Sequence, residues 1–240
     1  KLENPTDVLF PDFNQLDLRY RIPAQSRSQA VIKLAQLKPK ETDDWYNTAR
    51  QHLCDRYREN LSFLIQSLTA LYPQLQGETA IGQVNLQTPK SVAPYDLLYL
   101  ADWQIVELDE AEMYALKTYL KTGGIILIDS PTNNESLVDS INDIITQELE
   151  TDLESWQELS RNHPLRTQPF LFASLPKINQ SPIEVWQGGG TILIAGNLSN
   201  AWGLDDELSL DRNDIRTAQE LGINFLHFAL RRRQIMQLIQ

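Results

Sequence analysis

Two aspartates, Asp102 and Asp129, each follow an apolar strand pattern, over residues 97–100 and 125–128. In open α/β sheets the carboxyl ends of the parallel strands meet at one edge, and ligands bind there. Two carboxylates at this edge could bind Mg²⁺, with water completing the coordination shell. They could also act as an acid and a base if burial raised one of their pKa values. The competing interpretation is that each aspartate only caps the helix or turn that follows it.

Ser130 directly follows Asp129 and could serve as a nucleophile if a base activated it. His163 is the predicted base, because it lies in a loop of the same half of the chain. A serine hydrolase needs a serine, a histidine and an orienting acid in register. No Gly-x-Ser-x-Gly turn frames Ser130, and Pro131 follows it. Asp129, Ser130 and His163 are therefore the catalytic candidates, although His163 before Pro164 is also typical of an element that shapes a loop.

Aromatic and polar residues in the predicted loops suggest a binding surface. Trp103 and Trp202 are expected beyond strand ends, near Asp102, Asn197 and Asp205. Aromatic planes flanked by amides and carboxylates suit a sugar, a peptide or a protein partner. Packing of the loops over the edge of the sheet would use the same residues.

Several kinds of site lack support in the sequence. Cys54 is the single cysteine, so neither an internal disulfide nor a cysteine metal cluster can form. The three histidines are scattered, without the His-Glu-x-x-His spacing of a zinc site. Glycines 188–190 precede a predicted strand, which indicates a hairpin or strand-entry turn, whereas a phosphate loop lies between a strand and a helix. No cofactor is predicted.

The elements that position these residues alternate between strands and helices. Continuous apolar strands are typical of a parallel sheet covered on both faces, and too few strand–helix units are present for a barrel. We therefore predict an α/β domain with a doubly wound, mainly parallel sheet in the flavodoxin-like order. The predicted strands lie at 31–37, 84–86, 97–100, 125–128, 183–186 and 191–195, and the predicted helices at 48–72, 109–122, 135–149 and 214–233.

The helix that follows Asp102 has clear signals at both ends. Asp109 and Glu112 have the spacing of a capping box. Gly123 and Gly124 predict the end of the helix, because glycine accepts the left-handed conformation that is common there. The strand–helix–strand unit that results carries one carboxylate at the end of each strand.

The chain divides into an arm and one domain. Residues 16–22 alternate between apolar and polar side chains, which is the pattern of a half-exposed edge strand. We predict an N-terminal arm with this edge strand over residues 1–28 and one α/β domain over residues 29–240. The chain begins with Lys1 and not with methionine, and we therefore expect a further domain or segment upstream.

Composition narrows the choice of partners. A net charge of −11 argues against a nucleic-acid surface, because phosphate contacts need clustered lysine and arginine. No apolar run approaches the roughly 20 residues that a membrane-spanning helix needs. The cysteine content leaves the compartment open, and the cytoplasm is the favoured location.

The segment YDLLYLADWQIVELDEAEMYALKTYLKTGGIILID, residues 95–129, resembles a bacterial domain family of unknown function. That family is placed in the class I glutamine amidotransferase-like superfamily. Three further segments match its other elements in order, namely DDWYN at 43–47, NHPL at 162–165 and ELGINFLHFAL at 220–230. The resemblance implies a flavodoxin-like sheet related to the amidotransferase domains.

The resemblance does not carry amidotransferase chemistry with it. That chemistry needs a cysteine nucleophile on a tight turn between a strand and a helix. Here the strand that closes on Asp129 continues into Ser130, and Cys54 lies within a predicted helix. Glutamine hydrolysis is therefore not expected.

Two functions remain from the sequence. The first is a non-catalytic binding or scaffolding domain, which recruits a protein partner or an upstream domain of the same chain. The alternative is a hydrolase or a divalent-metal-dependent enzyme centred on Asp102, Asp129, Ser130 and His163. A bound metal ion, or a short contact between Ser130 and His163, would favour the enzyme.

Overall fold

A computed structural model describes residues 31–40, 45–131, 135–203 and 210–239 of the chain. The predicted arm and edge strand at 1–28 lie outside the described residues, as does Asp205. No helix in the described ranges is long and apolar enough to cross a membrane.

In the described residues, seven strands form the central sheet. Their spatial order is β4 (Gly82–Val84), β2 (Leu34–Leu37), β5 (Leu97–Ala101), β6 (Ile125–Ser130), β11 (Thr191–Ala195), β10 (Glu184–Gly188) and β7 (Glu154–Ser155). The first five in this order are parallel to one another, and β10 is antiparallel to both of its neighbours. The predicted α/β class and the mainly parallel sheet are therefore confirmed. Four short strands lie outside this sheet and pair two by two, namely β1 Val31–Ile32 with β3 Gln76–Gly77, and β8 Lys177–Ile178 with β9 Ser181–Pro182.

Helices cover both faces of this sheet. Leu97 and Tyr99 of β5 pack into one apolar core, whereas Leu98 and Leu100 of the same strand pack into a second core on the opposite face. The continuous apolar runs that predicted β5 and β6 follow from this burial on both faces. The helices are α1 Trp45–Leu71, α2 Pro89–Val92, α3 Asp102–Val106, α4 Glu110–Lys121, α5 Glu135–Glu148, α6 Pro164–Thr167 and α7 Arg212–Ile239, with a 3-10 helix at Ser199–Ala201.

The predicted end signals of α4 are confirmed. The backbone N–H of Glu112 donates to Asp109 Oδ1 at 2.9 Å, and the backbone N–H of Asp109 donates to Glu112 Oε2 at 3.0 Å. Gly123 follows the helix with φ at 93°, in the left-handed region that favours glycine. This closed helix returns the chain to the sheet at β6, next to β5.

The structure differs from the sequence prediction around the first strand. The strand predicted at 31–37 is interrupted at Lys33, whose backbone N–H donates to Asp96 Oδ2 at 2.8 Å. The part before the break, β1, pairs with β3, and only β2 joins the central sheet.

The short helix α3 was not predicted. It begins at Asp102 and is held by Gln104, whose side chain accepts from the backbone N–H of Ala101 and donates to the carbonyl of Leu37. The contact with Leu37 is long-range, and a helix of five residues is too short to show a helical period in the sequence. Through Gln104, α3 ties the end of β5 to the end of β2.

Candidate functional site

The carboxyl ends of β5 and β6 bring the predicted residues Asp102, Asp129 and Ser130 together. Ala101 pairs with Asp129 across the two parallel strands, which sets Asp102 and Ser130 at the same edge. The hydroxyl of Ser130 donates to Asp102 Oδ2 at 2.9 Å. The expectation that the two strand ends are neighbours is therefore met by the geometry.

Asp129 is the most deeply buried member of this group, with no exposed surface. Its Oδ2 accepts hydrogen bonds from the hydroxyls of Tyr99 and Ser199. Its Oδ1 has no hydrogen-bond partner among the described residues. Burial raises the pKa of Asp129 from its ordinary 3.8 to about 6, against the two hydroxyl donors that lower it, and the charge of Asp102 adds a smaller increase.

Two tyrosines line the buried side of Asp129. The ring of Tyr57, from α1, lies 5.4 Å from the ring of Tyr99, measured between centroids. Burial, followed by the negative charges of Asp129 and Asp102, raises the pKa of Tyr57 far above its ordinary value. The pKa of Tyr99 is also raised well above its ordinary value, first by burial and then by the charge of Asp129. Both phenols therefore remain protonated at neutral pH and can donate, but cannot act as bases.

Asp102 combines two roles. Its Oδ1 accepts from the backbone N–H of Trp103 at 2.7 Å, at the beginning of α3, while its Oδ2 accepts from Ser130. Burial raises the pKa of Asp102, and the two hydrogen bonds lower it again in part. The capping interpretation therefore describes part of what Asp102 does, because the same carboxylate also holds the serine.

The loop after β11 completes the carboxylate cluster, defined here as Asp102, Asp129, Ser130, Tyr99 and Ser199. Ser199 lies in the 3-10 helix, and the next residue, Asn200, accepts from Asn60 of α1 at 3.4 Å and donates to Asn197 at 3.3 Å. Asn197 thus supports the loop that carries Ser199. Each polar side chain of the cluster is buried.

The two tryptophans that were predicted to bind a ligand both contact other residues of this protein. Trp202 is fully buried, and its indole N–H donates to the carbonyl of Ala218 at 3.0 Å. This corrects the expectation of a ligand platform, because a core side chain presents no face to a ligand. Trp103 is partly exposed, but the guanidinium of Arg50 lies 4.6 Å from its ring centroid and pairs with Glu107 at 2.6 Å.

His163 is not brought to Ser130. Its Nδ1 accepts from the backbone N–H of Leu165 at 3.3 Å, and its ring hydrogen-bonds with Gln187 of β10. Gln187 of β10 pairs with Ile192 of β11, and Ile192 in turn pairs with Leu127 of β6. Leu127 lies three residues before Ser130 on the same strand. The histidine therefore sits towards the amino edge of the sheet. Gln187 lies towards that edge because β10 is antiparallel to β11 and runs to the turn that precedes β11.

The predicted magnesium ligands fit a metal poorly. Three of the four carboxylate oxygens of Asp102 and Asp129 accept hydrogen bonds from the protein, and one, Oδ1 of Asp129, remains. Mg²⁺ usually keeps several waters around one or two carboxylates, and that shell needs space that a fully buried carboxylate does not offer. The described part of the chain contains no group of three or more His, Cys, Asp or Glu side chains that could hold a metal ion.

Cys54 offers no alternative nucleophile. Its side chain is buried in α1, and burial, followed by the charge of Asp55, raises the pKa of the thiol to about 11. A thiol with this pKa is almost entirely protonated at neutral pH, and the thiolate is the nucleophilic form.

An open crevice of about 540 Å³ lies beside the carboxylate cluster, and sequence reasoning did not find it. It is located between the carboxyl ends of β2 and β5, where the chain passes from β4 on one side of β2 to β5 on the other. Such a switch point is the usual ligand site of open α/β sheets. Its lining includes Lys38, Lys40, Asn85, Gln104 and Glu112. Lys38 directly follows β2, which is the signal that could have indicated it.

Charges of both signs line the crevice. Lys40 pairs with Glu112 at 2.6 Å and donates to the carbonyl of Glu107 at 2.6 Å. Lys38 and Gln87 are exposed at its rim. The crevice is thus a polar, solvent-open surface, in contrast to the sealed carboxylate cluster next to it.

Comparison with known proteins gives one match that covers most of the chain. A family model described as "Domain of unknown function (DUF4159)" matches residues 33–230. No curated protein matches the chain. The matched span contains β2, the carboxylate cluster, the crevice and most of α7. The chain therefore belongs to the DUF4159 family of domains of unknown function.

Proposed function

We propose that this chain is a non-catalytic binding or scaffolding domain, with its binding surface at the crevice between β2 and β5. The observation that carries the proposal is the state of the carboxylate cluster. Asp102, Asp129 and Ser130 are buried and hydrogen-bonded within the protein, so they hold the strand ends and the loops together. A buried network of this kind rigidifies the edge that supports a binding surface.

The order of the parallel strands supports the flavodoxin-like assignment. Counted along the chain, the five parallel strands β2, β4, β5, β6 and β11 lie side by side in the order 2-1-3-4-5. This order is compatible with the proposed relation to the amidotransferase domains. The strand that closes on Asp129 continues into Ser130, where an amidotransferase would need a cysteine on a tight turn, and this supports a domain without that chemistry.

The crevice suits a charged protein segment better than a small apolar ligand. Its rim presents the exposed Lys38 and the acidic Asp109, and the buried Gln104, whose amide is bonded to Ala101 and Leu37, holds its floor in place. Charged and polar groups at an open surface favour specificity and orientation of a partner. The partner we propose is another protein or an upstream domain of the same chain.

Site-specific photo-crosslinking in cells tests the proposal. A benzophenone amino acid replaces the exposed Gln87 at the rim of the crevice, and a matched control carries it at Leu171, which is 78% exposed and does not line the crevice. We expect one discrete covalent adduct from position 87, absent from position 171 and lost when Lys38→Glu is added. Equal labelling from both positions, or no adduct from position 87, would contradict the proposal.

The alternative, a hydrolase or metal-dependent enzyme, keeps one specific observation in its favour. Asp129 retains one oxygen without a partner among the described residues, and its pKa lies near 6, where a carboxyl group can exchange protons. Calorimetric titration with MgCl₂ and MnCl₂, and hydrolysis of generic ester and amide substrates, test this alternative. A saturable heat, or a turnover that disappears in Ser130→Ala while the fold is kept, would replace the binding proposal with an enzyme.

A further inference from the structure

One edge of the central sheet has backbone groups that point away from it. The outermost strand at this edge is β4, and among the described residues it pairs only with β2. Val84 of β4 accepts from the backbone N–H of Lys38 at 2.9 Å on the β2 side. Successive residues of a strand direct their backbone groups to opposite sides. The N–H and C=O of Gln83 therefore point to the outer side of β4, where another strand could pair with them.

Apart from its short length, β4 lacks the features that usually protect an exposed edge. The strand reads Gly-Gln-Val, without a proline or a charged residue, and the side chain of Gln83 is exposed. Native proteins blunt an open edge with charges, proline or bulges, or they cover it with another part of the chain. This edge is thus suited to being covered.

An open groove of about 700 Å³ lies beside this edge. Ile81, which directly precedes β4, lines the groove together with α1. Gln83 faces α1 as well, because it pairs with Gln36, whose side chain donates to the carbonyl of Cys54 in α1. A strand added outside β4 would therefore have α1 beside one of its faces. The lining residues of α1 include a stripe at helical spacing, namely His52, Asp55, Arg56, Glu59 and Ser62.

This stripe of α1 offers charges of both signs to an occupant of the groove. Arg56 and Glu59 are exposed, and neither forms an ion pair with another described residue. Asp55 differs, since it pairs with Arg58 at 2.7 Å. One cation and one anion, three residues apart on the helix, are therefore available to a strand whose polar face carries both signs.

The sequence contains a segment with these properties. Residues 16–22, which lie outside the described residues, read Leu-Asp-Leu-Arg-Tyr-Arg-Ile and have the period-two pattern that predicts a half-exposed edge strand. Their polar side chains are one aspartate and two arginines, which complement the cation and the anion on α1. Their apolar side chains would face the other side of β4. There the ring of Tyr95 lies against Gly82.

The connection from this segment to the described chain is long enough. Residues 23–30 lead to Val31, and eight extended residues span at most about 26–29 Å. The outer side of β4 is two strand spacings, or about 10 Å, from β2. Val31 begins β1, which leads directly into β2. A strand antiparallel to β4 would end at the same edge of the sheet as Val31, so a short connection suffices.

We propose that residues 16–22 add to the central sheet as an antiparallel strand on the outer side of β4. The backbone of Gln83 pairs with this strand, its polar face meets the charged stripe of α1, and its apolar face covers Tyr95. Main-chain hydrogen bonds provide the stability of such an added strand, and the alternating side chains set its register. This placement is independent of the partner that we propose for the crevice.

Amide hydrogen exchange of the full chain, followed by ¹H–¹⁵N NMR, tests the placement. The Gln83 amide should exchange about 100-fold or more slowly than an unprotected amide, because it donates to the added strand. Arg19→Pro removes a backbone donor at the centre of the segment and should speed this exchange by about tenfold or more. The matched control, Gln15→Pro, lies just before the segment and should leave the exchange unchanged.

Disulfide formation provides a second measurement that reads the face of the strand. Gln83→Cys is combined, in separate variants, with a cysteine at each position from 17 to 21. Positions 17, 19 and 21 share the face of Gln83 and include those that should crosslink to it, whereas positions 18 and 20 on the opposite face should not. Cys54 is buried and does not compete.

Four results would overturn the placement. The first is a Gln83 amide that exchanges as fast as an unprotected amide. The second is a protected Gln83 amide that Arg19→Pro leaves unchanged, since another segment would then cover the edge. The third is crosslinking that is absent, or equal from both faces of the segment. The fourth is a disulfide that joins two chains, which would place a second copy of the protein at this edge.

Discussion

Replacement of Asp129 by asparagine should stabilise this protein at neutral pH. The buried carboxylate has a pKa of about 6 in the folded chain, against an ordinary value of 3.8, because burial disfavours its charged form. The variant keeps one side-chain oxygen that can accept from Tyr99 and Ser199, and it carries no charge. Asp129→Asn therefore removes the cost of ionising a group without exposed surface.

The magnitude follows from the two pKa values. A rise from 3.8 to about 6 corresponds to about 3 kcal/mol of stability that depends on pH. The folded state holds the proton more tightly than the unfolded state, so this stability is fully present below about pH 4. It is lost as the pH rises through about 6. The new amide NH₂ takes the place of Oδ1, which has no hydrogen-bond partner among the described residues, and an unpaired NH₂ there costs about 1–2 kcal/mol at every pH. The net gain expected at pH 7 is thus about 1–2 kcal/mol.

Urea denaturation between about pH 4 and pH 7 measures both the pH-dependent stability and the constant cost of the amide. The difference in unfolding free energy between Asp129→Asn and wild type should rise by about 3 kcal/mol over this range, whatever the constant offset. Asp139→Asn, at an exposed position on α5, is the matched control and should show no comparable rise. A flat difference across the range would refute the reasoning, as would an asparagine variant that is markedly less stable than wild type at pH 7.

Three further substitutions test the packing and capping of the fold by urea denaturation. Asp109→Ala should lower the unfolding free energy by about 1 kcal/mol, because the capping box of α4 is lost, and an unchanged value would contradict the cap. Asn224→Leu should cost about 3 kcal/mol or more, because Asn224 is fully buried and makes three hydrogen bonds to the backbone of Leu165 and Phe170. Gly124→Ala should cost about 2 kcal/mol, since its Cβ would lie 2.2 Å from the ring of Tyr119, and a neutral result would show that this ring can move aside.

The central strands and the hairpin could be predicted from the sequence. β5, β6 and β11 are continuous apolar runs, because both faces of the sheet are covered, and β11 has the predicted bounds of 191–195. The glycines at 188–190 do form the turn of a hairpin, between β10 and β11. The proximity of Asp102 and Asp129 could also be predicted from the sequence, because a strand–helix–strand unit places its two strands side by side.

The positions of His163 and Trp202 could not be predicted in the same way. Nothing local to His163 indicates which edge of the sheet it approaches, because that depends on the antiparallel pairing of β10. Trp202 lies in a polar stretch of sequence, and its burial results from contact with α7, where its indole N–H binds the carbonyl of Ala218. The crevice likewise depends on Gln104, which binds the carbonyl of Leu37 at the end of β2, 67 residues away in the sequence.

The affinity of the partner identified by crosslinking tests the central claim most directly. It should be compared for wild type, Lys38→Glu and Ser130→Ala, each confirmed as folded by circular dichroism. If the carboxylate cluster is structural and the crevice binds the partner, Lys38→Glu weakens binding by about tenfold or more, and Ser130→Ala binds within about twofold of wild type. Unchanged affinity in Lys38→Glu, together with loss of binding or of a turnover in Ser130→Ala, would contradict the account.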